Sequence, residues 1–276
     1  MFLKKSLAQH FLRDRRILAK IADAAALSPA AVVLEVGPGE GGLTALLLSR
    51  TNKVIAVEKD DRLMPVLQQK FSREIAAEKM VLIHSDILHF DIAYYMLPAT
   101  DYKVVANLPY YITGNFLRMF LQETAQQPSS MTLLLQKEVA RRIVAANGRE
   151  SLLSFSVKCY GEPKLIGIVK AGAFSPPPKV DSAILTIENI SRDFFHSLGC
   201  HPRENGEPKT NLDSRVRGND SEKRFFALLK AGFAHPRKLL ASNLGLPPDA
   251  LAARGIAAKA RAENLSPEDW RHLASL

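Results

Sequence analysis

Two cysteines in 276 residues, Cys159 and Cys200, are too few and too far apart for a disulfide framework or a metal-ligand set. The simple expectation is a reducing compartment, the cytoplasm, and no metal. No apolar run approaches the roughly 20 residues of a membrane span. The start, Met1-Phe2-Leu3-Lys4-Lys5-Ser6, is not followed by the apolar stretch of a signal peptide. No membrane partner is therefore expected. Acidic side chains are in the minority, 28 against 37 Lys and Arg, and the net charge is +9. That bias leaves the fold open but favours a polyanionic partner. The basic residues also cluster. Lys4, Lys5, Arg13, Arg15, Arg16 and Lys20 crowd the N-terminus, and Lys223, Arg224, Lys230, Arg237, Lys238, Arg254, Lys259 and Arg261 the C-terminal part.

What is present is alternation. An amphipathic stretch over residues 14–27 predicts a helix, preceded by Phe11-Leu12 as a docking segment. Strands are expected at 31–36, 53–57, 80–84, 102–106 and 131–136. Helices are expected at 43–49, 61–74, 113–123 and 137–145. Such alternation predicts a parallel sheet covered on both faces, an α/β fold. The strands lack a two-residue polarity period, as strands buried on both sides do. A helix over 152–160 and two extended runs at 163–170 and 180–190 follow. The two runs read as an antiparallel edge on a mostly parallel sheet. Residues 199–221 are poor in apolar side chains and read as a disordered insertion or linker. Helical spacing returns with Phe225, Phe226, Leu229 and Phe233, and Ser266-Pro267 reads as a helix start. The expected organisation is a domain over 1–198, a linker over 199–221 and a small all-helical domain over 222–276.

At the first strand-to-helix turn stands Glu35-Val36-Gly37-Pro38-Gly39-Glu40-Gly41-Gly42. Glycines there let a ligand approach the backbone closely. The spacing of Gly37, Gly39 and Gly42 also satisfies a dinucleotide fingerprint, and Glu58, about 20 residues on, suits a ribose hydroxyl in either case. Glu35 and Asp86 turn the reading from a diphosphate. Carboxylates around one pocket favour S-adenosylmethionine, which carries an amino group and a sulfonium. A nicotinamide-dependent oxidoreductase remains the alternative.

Asn107-Leu108-Pro109-Tyr110 ends the expected strand at 102–106. By itself it reads as a turn. Beside the acids it offers a carboxamide, a carbonyl and an aromatic face, the groups that hold an adenine amine and stack on its ring. Phe174 is the expected contact for the opposite face, or else a plug beside Pro176-Pro177-Pro178.

These residues, with Gln9-His10-Phe11-Leu12, Gln136-Lys137-Glu138-Val139-Ala140, Phe174-Ser175-Pro176-Pro177-Pro178-Lys179-Val180-Asp181-Ser182 and Arg261-Ala262-Glu263-Asn264, resemble the ribosomal RNA adenine dimethyltransferase family, in its bacterial small-subunit branch. The resemblance implies a Rossmann-like methyltransferase sheet with S-adenosylmethionine as cofactor. It places His10, Leu12 and Gly37 around the cofactor, Glu58 on its ribose, Asp86 on its adenine amine and Asn107 between cofactor and target base; the reading of the glycine turn adds Gly39 and Glu35 to the cofactor set. Leu108, Tyr110 and Phe174 complete the catalytic set. It further implies dimethylation of two adjacent adenosines in the 3′-terminal hairpin of 16S rRNA within a pre-30S particle, by a monomer. Lys4, Lys5, Arg237 and Lys238 would hold RNA phosphates. Two departures from the family pattern are Ala8 in place of Gly and His10 in place of Asn. A non-catalytic assembly factor of the same fold is the other alternative.

Overall fold

In a computed structural model, residues 10–95, 101–146, 149–196 and 211–274 are described. The chain divides into two compact units, one holding residues up to Ala140 with Glu162–Ile190, the other Arg141–Gly161 with the residues from Ser191 onward.

The first unit is built on seven strands: β2 (Val32–Val36), β3 (Lys53–Glu58), β4 (Met80–His84), β5 (Tyr102–Asn107), β6 (Ser130–Gln136), β7 (Glu162–Val169) and β9 (Ser182–Glu188), ordered β4-β3-β2-β5-β6-β9-β7. The five strands from β4 to β6 are parallel, and β9 and β7 add an antiparallel edge. The expected α/β sheet is thus present, edge included. Its strands are apolar because both faces are covered: Val33, Leu34, Val54, Val104, Val105 and Leu133 are essentially inaccessible.

Strand order reverses between β2 and β5. The chain moves outward from β2 through β3 to β4, then returns to β5 on the other side. A ligand crevice opens at such a switch point, beyond the carboxyl ends of the strands. Helix α1 (Arg15–Ala24) covers one face. The Asp14 carboxylate caps it by accepting from the Arg16 and Ile17 N–H groups, and Leu18, Ile21 and Ala22 bury its apolar stripe. Helix α2 (Gly42–Leu48) follows the glycine turn.

One pairing joins distant chain. Strand β1 (Phe11–Leu12) runs antiparallel to β8 (Phe174–Ser175), with Leu12 opposite Phe174. The docking expected of Phe11 and Leu12 is made by main-chain pairing as well as by burial.

In the second unit, helix Leu152–Lys158 packs with C-terminal helices. Phe155 meets Phe233 and Trp270 at 5.9 and 6.0 Å between ring centroids. Contacts therefore divide the chain at other points than composition, because the side chains that complete the aromatic core of this unit come partly from 141–161. Of the expected linker, 199–210 lie outside the described residues. Residues 211–221 open the helix Asn211–Gly232, contrary to the composition-based expectation. Extending a helix already nucleated around Phe225 and Leu229 costs far less than starting one.

Candidate active site

The crevice sits at the ends of β2 and β5. Val36 lies beside Ala106, so Gly37 and Asn107 leave the sheet side by side. Gly37 has a φ of +72°, and a Cβ there would approach the Asn107 carbonyl at 3.7 Å. Gly39 has a φ of +59°, and its Cβ would press on the Phe11 ring at 3.3 Å. Any L side chain at either position would strain the turn and fill the cradle.

Glu58 ends β3 and is buried. Its carboxylate accepts three main-chain N–H groups, from Gly39 at 3.1 Å, Lys59 at 2.9 Å and Asp60 at 2.8 Å. Burial raises its pKa, and these three bonds work against the rise. One side chain thus ties the glycine turn to the end of the neighbouring strand. Asp86 lies just past β4. One of its oxygens accepts the Leu88 N–H at 3.1 Å, and the other pairs with the Lys59 ammonium at 2.6 Å. Burial pushes the Asp86 carboxyl up, but Lys59 and the Leu88 N–H outweigh it and hold it below the usual range.

Across the crevice, Asn107 closes β5. Its carboxamide makes no hydrogen bond with another described residue. Leu108 is buried and its N–H donates to the Leu134 carbonyl at 3.1 Å, which fixes the loop to β6. Tyr110 is held by its hydroxyl, 2.8 Å from the Ser182 hydroxyl on β9. Its ring lies 6.3 Å from that of His10 at an interplanar angle of 25°. His10 Nδ1 is 2.8 Å from the Pro176 carbonyl. Leu12 and Phe174, paired through β1 and β8, are buried on the same wall.

The structure therefore gathers His10, Leu12, Gly37, Gly39, Glu58, Asp86, Asn107, Leu108, Tyr110 and Phe174 around one pocket, all from the first unit. Glu35 is the correction. It was expected in the cofactor site, yet its side chain is not on the pocket wall. Strand alternation sends it to the opposite face from Val36, the face that also carries the buried Thr44 of α2. Both Glu35 oxygens and the Thr44 hydroxyl are buried without hydrogen-bond partners among the described residues. Burial pushes the Glu35 carboxyl up to about 8, with Thr44 opposing. Arg237 and Lys238 are exposed in the second unit, between two helices. Lys4 and Lys5 lie outside the described residues.

Four further residues were not foreseen. Phe11 lies against Gly39, Ser182 anchors Tyr110, Lys59 pairs with Asp86, and Tyr111, 59% exposed, stands on the rim. Arg13 clasps Glu40 of the glycine turn with two bonds of 2.9 and 2.6 Å. Phe11 and Ser182 fall within the quoted strings. Lys59 and Tyr111 directly follow residues that were singled out.

Residues 2–198 match the family described as ribosomal RNA adenine dimethylase. The chain belongs to this family. The ribosomal RNA small subunit methyltransferase A of Dehalococcoides mccartyi (strain CBDB1) is 43% identical over 278 residues, covering 98% of this chain and 87% of the relative. That of Shouchella clausii (strain KSM-K16) is 35% identical over 289 residues, covering 99% and 88%. Among solved structures, the 23S rRNA methyltransferase ErmE superposes with a TM-score of 0.71 at 27% identity, covering 96% of this chain and 98% of that one. A dimethyladenosine transferase from Plasmodium falciparum shares the fold, with a TM-score of 0.73 at 24% identity over 96% of both chains. The family match and the two relatives, both named as small-subunit rRNA methyltransferases, do not favour the oxidoreductase reading.

Proposed function

We propose that the crevice binds S-adenosylmethionine and dimethylates adenine N6 in RNA, the substrate being two adjacent adenosines in the 3′-terminal hairpin of 16S rRNA. One observation carries the reading. The unengaged carboxamide of Asn107 stands at the topological switch point beside a glycine cradle, with two separate carboxylates at the next two strand ends.

The residues present fit that cofactor. Gly37 and Gly39 leave space at the turn that a Cβ would fill. Glu58 presents a carboxylate prepared for ribose hydroxyls, its three N–H partners fixing its orientation. Asp86 is the acceptor for the adenine amine. Two carboxylates suit a hydroxyl-rich, amino-bearing ligand and repel a diphosphate. The cofactor, when bound, supplies an activated methyl group.

The protein's own task is to aim a weak nucleophile. The lone pair of an adenine amine is delocalised into the ring. Two acceptors, the Asn107 carboxamide oxygen and the Leu108 carbonyl, draw its two hydrogens out of the ring plane and favour a tetrahedral nitrogen. Tyr110, anchored by Ser182, offers a face to the extruded base, and Phe174 covers the other side. No strong base is required, because the nitrogen becomes acidic once alkylated. Catalysis is then positioning and desolvation. A neutral Asn107 leaves a monomethylated amine free to react again.

RNA phosphates would be held by the basic N-terminal segment and by Arg237 and Lys238, with an affinity that falls steeply with salt. We place the reaction in the cytoplasm, by a monomer acting on a pre-30S particle. Among the described residues no helix is long and apolar enough to cross a membrane. The test is methyl transfer to undermethylated small subunits, with the product read by mass spectrometry. Dimethyladenosine at two neighbouring positions is expected, and its absence from subunits that bind the protein refutes the reading.

A further inference from the structure

The two carboxylates of the cofactor half are held differently. Glu58 is fixed by main-chain N–H groups that cannot leave. Asp86 gives one oxygen to the Leu88 N–H and the other to the ammonium of Lys59, at 2.6 Å. The Lys59 side chain is 49% exposed, that of Asp86 24%, and both line the pocket. Lys59 is the residue directly after Glu58, so its stem starts at the ribose edge and its head reaches the neighbouring strand's acid. The His89 imidazole stands 3.8 Å from the same Asp86 oxygen, and His84 Nε2 lies 3.3 Å from the Lys59 carbonyl. Each Asp86 oxygen thus already has a partner, and the one not bound to main chain carries a cation.

We infer that Lys59 sets cofactor affinity and base discrimination by competing with the adenine 6-amino group for Asp86. The inference rests on the reading of Asp86 as the adenine acceptor. A neutral amine that displaces or crowds an ammonium gains one hydrogen bond while an ion pair is loosened. The Lys59 head has solvent to move into, so the cost is small, as for half-exposed ion pairs generally. The consequence is a cofactor site held below its full affinity, which favours release of the demethylated product after each transfer. The competition also has a chemical signature. A 6-oxo group in place of the amine offers no hydrogen to Asp86 at that position, the base's hydrogen lying on N1, but can accept one from Lys59. The native pair therefore narrows the preference for adenine over hypoxanthine.

The test is calorimetric binding of S-adenosylhomocysteine and of S-inosylhomocysteine to the wild type, Lys59→Met, Lys59→Arg and Asp86→Asn. Lys59→Met should bind the adenine ligand about two- to fivefold more tightly, the range an exposed ion pair commands. It should bind the inosine ligand no better. Lys59→Arg should keep the wild-type affinity for both. Wild-type affinity for the adenine ligand should also rise between about 0.05 and 0.5 M KCl relative to that of Lys59→Met, as the pair is screened. Equal gains with both ligands, or a loss with the adenine ligand, overturn the inference. Those results leave the reading of Asp86 intact provided Asp86→Asn still weakens the adenine ligand. If Asp86→Asn binds both ligands like the wild type, the reading of Asp86 itself fails, and the inference with it.

Discussion

The two halves of the crevice are built on opposite plans. On the β5 side the groups that flank the free carboxamide of Asn107 are set by buried structure. Leu108 is pinned to β6, Tyr110 to Ser182 on β9, and Phe174 to Leu12 through the β1–β8 pair. On the β3–β4 side Glu58 is equally fixed, but Asp86 is held by a half-exposed lysine. The difference follows from the work each side does. A target nitrogen must be placed within fractions of an ångström of its reaction line. A cofactor must arrive and leave at every turnover, and a carboxylate with an exchangeable partner serves that better than one locked in place.

Substitutions on each side should break this contrast in different ways. The largest effect is expected for Asn107→Ala. It removes an acceptor used to aim the nucleophile, so the transfer rate should drop by about two orders of magnitude or more, with the thermal midpoint hardly moved. Single-turnover kinetics on undermethylated small subunits reads the first and calorimetry the second. Glu58→Gln comes next. Losing a charged acceptor should weaken S-adenosylhomocysteine by roughly tenfold or more, with little change in the rate at saturating cofactor. A mainly kinetic effect would mean that Glu58 belongs to the aiming side. Tyr110→Phe keeps the ring and loses only the bond to Ser182. A few-fold loss in rate and about 1 kcal/mol in stability are expected. Tyr110→Ala should lose about 10- to 100-fold in rate if the ring stacks on the base.

The smallest effect on the site is expected for Glu35, whose change shows in stability instead. Its folded pKa of about 8 lies above the ordinary 4.5, so the folded protein holds an extra proton between those values. Stability from this group is full below about pH 4.5 and is lost as pH rises through about 8. Glu35→Gln should flatten that decline in denaturant titrations from pH 5 to 8.5 and leave S-adenosylhomocysteine binding unchanged. A large loss of binding would return Glu35 to the cofactor site.

Much of the first unit is legible in its sequence. The expected strand at 80–84 coincides with β4, and those at 102–106 and 131–136 fall within a residue of β5 and β6, because long apolar runs between turn signals leave little else for the chain to do. The helix expected over 61–74 is split at Phe71, whose buried ring and backbone angles break the second turn, a tertiary cause that no local pattern announces. The β1–β8 pair was hidden for the same reason: each partner is two residues long, and the His10–Pro176 bond beside it spans 166 residues. Residue types found the site because its chemistry needs them at strand ends. They misplaced Glu35, since a carboxylate near a glycine turn is attractive to any reader, while alternation along β2 turns it away. They passed over Lys59, since a lysine just past a strand end reads as solvated charge.

The most direct test is a crystal structure of the protein with S-adenosylhomocysteine. The ligand should lie across the carboxyl ends of β2, β3 and β4, with ribose hydroxyls on Glu58, the adenine amine on Asp86 and the Lys59 head displaced from its 2.6 Å contact. A ligand seated elsewhere, or one in this crevice that leaves Asp86 to Lys59 alone, would contradict the account.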